Sequence, residues 1–108
     1  MSIKYTLNGV DVNIRGLDSW ERHISIYFSL NGEEFLEWVV EFGNGYKLEK
    51  SKNEFLADND SSFREATEIE DESEYLYFIN NLYDRLQEYL NEAFKRVTQR
   101  RKNGKSHL

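Results

Sequence analysis

Five carboxylates stand in seven consecutive positions, Glu68, Glu70, Asp71, Glu72 and Glu74, with no base among them. Side chains of this type can do two kinds of chemistry. As oxygen ligands they hold hard cations such as Ca²⁺ or Mg²⁺. As fixed anions they attract the cationic groove of a partner, in the way a phosphate backbone does. The wider stretch 54–74 carries nine acids against Arg64 alone, a net of −8 over 21 residues. The structural alternative is a solvated connector whose charge sits favourably at a helix N-terminus.

The cation reading meets an immediate obstacle. A calcium loop starting at Asp58 would use Asp60 and Ser62 as alternating ligands, but it needs Gly at the sixth position and Glu at the twelfth. Phe63 and Ile69 stand there instead. No metal site and no cofactor are expected. Nucleophilic catalysis has little more to work with: there is no cysteine, and the histidines are His23 and His107. His23 shares a strand face with Ser25 and could approach Glu41 or Val39 across a strand pair. Polar neighbours of this sort line most solvated β surfaces, and a triad needs a third group orienting the base. Gly43 and Gly45, in "FGNGY", lack the following helix and Lys of a phosphate loop. An enzyme is not expected.

Charge is segregated along the chain. Residues 1–94 hold 8 bases against 20 acids, whereas 95–108 hold six bases, Arg96, Arg100, Arg101 and Lys102 among them, and no acid. Bases in a last helical turn complement the macrodipole. Direct nucleic-acid binding would require aromatics interleaved with them, and the acidic body would repel phosphates. A basic end laid on the acidic segment of a second copy would favour a homodimer.

These groups need a scaffold. Sixteen aromatics in 108 residues supply apolar volume for a single core. The absence of cysteine suits a reducing, cytoplasmic setting, and no apolar run reaches the ~20 residues that span a bilayer. "IKYTLNGVDVNI" predicts a hairpin turning at Asn8-Gly9, with Leu7 opposite Val10, Tyr5 opposite Val12 and Ile3 opposite Ile14. "HISIYFSLNGEEFLEWVVEF" predicts a second. A two-residue Asn31-Gly32 loop would turn Glu37 inward, so a three-residue loop, Leu30-Asn31-Gly32 with a bulge, restores Leu36, Trp38, Val40 and Phe42 to the core. Tyr27, Phe35 and Val39 then lie on the opposite face. A short strand with Tyr46 and Leu48 follows. Residues 51–71 are the least periodic; Ser62 with Glu65 has capping-box spacing for one helical turn, and a strand over 63–69 competes with it. From Ser73 to Lys102, apolar residues recur at three- and four-residue steps, and Gly104 marks a stop.

The expected fold is therefore α+β: an antiparallel sheet of four to five strands, built from two β-hairpins, with one long C-terminal helix across one face. Residues 1–102 form one domain and 103–108 a flexible basic tail. The expected function is non-enzymatic protein binding, as a small acidic inhibitor occupying a basic groove of a partner. In it, the five carboxylates would steer and Tyr27, Phe35 and Val39 would anchor. The alternatives are a homodimer through the long helix and nucleic-acid binding through the basic tail.

Overall fold

The computed structural model describes residues 2–106, with side chains as far as Arg100. Five strands, β1 (Ile3–Leu7), β2 (Val10–Trp20), β3 (His23–Leu30), β4 (Glu33–Phe42) and β5 (Gly45–Leu48), form one antiparallel sheet in sequence order. Two helices, α1 (Lys52–Thr67) and α2 (Glu72–Ser106), cover one face of it. The class is α+β, with two helices where the pattern predicts one.

The first hairpin has the predicted register, Ile3 facing Ile14, Tyr5 facing Val12 and Leu7 facing Val10. Asn8 and Gly9 take the positive φ values of 51° and 76° that a primed two-residue turn demands. Beyond Ile14 the strand continues to Trp20. A register shift between Ile14 and Gly16 leaves Arg15 as an extra residue, and Gly16, at φ 156°, supplies the backbone freedom for that bulge.

The second hairpin departs from the prediction. Asn31 (φ 49°) and Gly32 (φ 86°) make a two-residue turn, with Phe28 opposite Phe35, Ile26 opposite Glu37 and Ile24 opposite Val39. The three-residue bulged loop does not form. The turn gains more from Asn31 than a bulge would give: its Oδ1 accepts from Asp11 N at 3.0 Å, and its Nδ2 donates to Ala66 O at the end of α1, also 3.0 Å. Turn chemistry outweighs the apolar pattern of β4.

The segment read as aperiodic is a sixteen-residue helix. Its start is a full capping box at Ser51, whose Oγ accepts from Glu54 N while Glu54 reaches back to the Ser51 backbone. Ser62 and Glu65 lie inside the helix, and no strand forms over 63–69. Phe55 and Phe63 are fully buried, and few other apolar residues accompany them. This sparseness hides the helix from a periodicity test.

The periodicity of the last segment predicts an end at Lys102 with Gly104 as the stop. Instead α2 continues through Gly104 to Ser106, at a local propensity cost of about 1 kcal/mol. Tyr75, Phe78, Ile79, Leu82, Leu86, Tyr89 and Leu90 enter the core; after Leu90 no described side chain is fully buried. Gln87 finishes the sheet edge, donating to Tyr46 O at 2.9 Å and accepting from Leu48 N at 3.3 Å. The helix is thus tied to β5 and overhangs beyond it.

Two substitutions test these anchors. Ser51→Ala should lower stability by about 1 kcal/mol, whereas Ser62→Ala should change it by less than about 0.5 kcal/mol; urea midpoints with a constant slope decide this. Asn31→Ala loses the turn conformation and two side-chain hydrogen bonds, and should cost about 2–3 kcal/mol. Asn31→Gly keeps the conformation and should cost less than Asn31→Ala; equal losses would refute the role given to φ.

Candidate functional site: the uncovered face of the sheet

The two-residue turn decides which side chains of β4 face the helices. Phe35, Glu37 and Val39 point inward. Val39 is buried against the core, and Phe35 packs 5.6 Å from Phe28 and 5.0 Å from Phe63, centroid to centroid. Neither can serve as the second-face anchor expected of it. That face is built instead by Leu36 (37% exposed), Trp38 (48%), Val40 (40%) and Phe42 (52%), joined at the end of β2 by Trp20 (72%). Tyr27 does lie on this face, opposite Leu36.

Polar residues complete the surface. His23 sits beside Trp38, ring centroids 5.7 Å apart, and makes no hydrogen bond to Ser25 among the described residues. A cleft of about 420 Å³ opens between Trp20 and Trp38, lined also by Ser25, Tyr27 and Leu36. Strand alternation places Lys4, Arg15 and Lys47 here against Asp11, Asp18, Glu34 and Glu49, a net of −1. Arg15 and Glu34 neutralise one another at 3.2 Å. By contrast, residues 52–94, which are α1, the connection and the first part of α2, hold 12 acids and 3 bases, while the rest of α2 to Ser106 adds six bases and no acid. The aromatic face is therefore close to neutral, and the acidity lies on the other layer.

The five predicted carboxylates occupy the α1–α2 connection and the start of α2, and they do not act alike. Asp71 caps α2, accepting from Glu74 N at 3.0 Å and from Ser73 Oγ at 2.6 Å, which holds its pKa below the usual carboxylate value. Glu72 takes a two-pronged contact from Arg64, 2.8 and 2.9 Å, and its pKa is likewise lowered. The same guanidinium grips Asp60 at 3.0 Å and lies over the Tyr75 ring. These two acids hold α1 to α2. Glu68, Glu70 and Glu74 are exposed, with carboxylates unpaired among the described residues. No group of three or more His, Cys, Asp or Glu among the described residues is arranged to hold a metal ion. Of the basic group, Arg96 and Arg100 are exposed on α2, while the side chains of Arg101 and Lys102 lie outside the described residues. Among the described residues no helix is long and apolar enough to cross a membrane.

One charged pair sits where the apolar pattern wants none. Glu37, inward and 5% exposed, lies 3.3 Å from Lys50 Nζ, which also approaches Asp58 at 3.5 Å. Burial raises the Glu37 pKa, with Lys50 opposing the shift. The pair fills the gap between β4 and α1 and has no route to the aromatic face.

Comparison with protein-family models, curated proteins and solved structures finds no match for this chain. The site has to be read from its own geometry. The three-residue loop hid Leu36, Trp38, Val40 and Phe42, which the Asn-Gly pair at its usual two-residue length would have exposed; Trp20 was missed because β2 runs on past Ile14.

The ion pair yields a prediction. Because the folded-state pKa of Glu37 is raised above its ordinary 4.5, the folded protein holds this proton more tightly than the unfolded chain, and stability falls as pH rises through that value. Glu37→Gln should therefore match the wild type at pH values well below 4.5 and become progressively more stable than it above. Urea titrations at a series of pH values measure the difference; a constant gap, or one of opposite slope, refutes it.

Proposed function

We propose that this chain is a non-enzymatic module that works by binding another protein chain, and that the uncovered sheet face is its contact surface. The observation carrying this reading is the exposure of Trp20, Trp38 and Phe42 beside Leu36 and Val40, on one side of the sheet. At roughly 150–250 Å² per aromatic side chain, the three exposed fractions amount to on the order of 350 Å² of aromatic surface. That is the size of the largest apolar patch on a typical monomer, and such patches are often functional. Trp and Tyr concentrate binding energy because large rigid rings lose little entropy on contact.

Glu68, Glu70 and Glu74 support a second surface. Being unpaired within the fold, they remain available to steer a basic partner at long range. They belong to the helical layer, however, so one shallow basic groove would not engage them together with the aromatic anchor.

A photocrosslinking side chain at position 40, with a control at Glu92 on the exposed side of α2, tests the proposal in the cells that make the protein. Position 40 should yield a covalent adduct with a protein chain, lost on Trp38→Ser, and position 92 should not. Equal or absent adducts at the two positions would refute it.

A further inference from the structure

We infer that the occupant of the uncovered face is a second copy of this chain, the two sheets packing face to face about a two-fold axis; this rests on the reading of that face as a binding surface. Four observations on the surface point there. Its charge nearly cancels, with three bases against four acids, whereas residues 52–94 of the helical layer are strongly acidic. A cationic partner would be drawn to the helices, and a neutral partner is what this face fits.

A second copy also satisfies electrostatics at the level of the whole assembly. Sheets stacked face to face stand about 10 Å apart, and each carries its helices, about 10 Å thick, on the far side. The two acidic layers would then be on the order of 30 Å from each other, several times the Debye length of about 8 Å at physiological salt. Association through the acidic part of the helical layer, residues 52–94, would instead bring like charges together.

Area and shape agree. The strands, of five, eleven, eight, ten and four residues, at ~3.3 Å per residue and ~4.8 Å per strand give a face of about 600 Å². That lies at the lower end of the contribution per partner in a stable interface of standard size. A two-fold contact requires one surface to carry both halves of the fit. This one offers both: Val40 and Phe42 are exposed at one end of β4, and the cleft of about 420 Å³ opens between Trp20 and Trp38.

Both tryptophans of the chain are Trp20 and Trp38, so intrinsic fluorescence reports on this face alone. The purified full chain, followed by light scattering and tryptophan emission through a dilution series, should show twice the 12.9 kDa chain mass when concentrated. Dilution should return it to a single chain with a red shift in emission. Trp38→Ser should weaken the association by about 30-fold or more. Val40→Lys, which sets like charges against each other across the axis, should do the same, with far-UV circular dichroism unchanged in both. A chain that stays monomeric at every concentration overturns the inference; an adduct to a different protein at position 40 would still leave the proposed function standing. A dimer indifferent to both variants overturns it too, since the contact would then lie on the overhanging helix.

Discussion

The Asn31-Gly32 turn is the constraint on which the rest of this structure depends. A strand alternates its side chains with a period of two, so one residue more or less in the turn exchanges the whole inner set of β4 for the outer set. Two residues place Phe35, Glu37 and Val39 under the helices and leave Leu36, Trp38, Val40 and Phe42 outside. Asn31 fixes that length by bonding to both β2 and α1. The turn joins three elements, and the Asn31 side chain ties the hairpin tip to the helical layer.

Where local rules agreed, the architecture was legible in the sequence. Asn8-Gly9 and the alternation around it specify the first hairpin, and the three- and four-residue spacing from Tyr75 to Leu90 specifies the buried stripe of α2. Where rules conflicted, the sequence misleads in an instructive way. In β4 the more apolar set argues for one parity and the turn dipeptide for the other, and the turn prevails because Asn31 and Gly32 take its positive φ values and Asn31 bonds to both Asp11 and Ala66. In α1 the run Asp58, Asn59, Asp60, Ser61, Ser62 resembles a turn. Its helix is set by a box four residues upstream of Phe55 and by two aromatic anchors, Phe55 and Phe63, two turns apart. Acidic residues were equally deceptive: the densest run is partly structural, because Asp71 caps α2 and Glu72 pairs with Arg64.

Arg64 shows how a charged surface can hold two helices without adding to a binding face. Its guanidinium contacts Asp60 within α1 and Glu72 at the start of α2, and it covers the ring of Tyr75. Exposed pairs of this kind contribute little individually, but the planar fork and the ring beneath it fix the angle at which α2 leaves the connection. Further along α2, Gln87 bonds to Tyr46 and Leu48 of the edge strand β5. The covered layer is thereby tied at both ends, and the uncovered face of the sheet carries no chain segment among the described residues.

The distribution of side chains along β4 has its own logic. A strand selected only for the stability of this fold would put Trp38, Val40 and Phe42 against the helices and turn its glutamates to solvent. This strand does the reverse: a carboxylate is buried and needs Lys50 to compensate it, while Trp38, Val40 and Phe42 meet water. Burying such a pair rarely stabilises a protein more than apolar packing of similar volume. Departures from local consistency of this sort collect at functional sites, where stability is exchanged for recognition. The inverted strand is thus an argument for partner binding that does not depend on the size of the exposed patch. It also explains why the inversion is confined to β4, while β2 and β3 keep the ordinary arrangement of apolar residues inward through Val12, Ile14, Ile26 and Phe28.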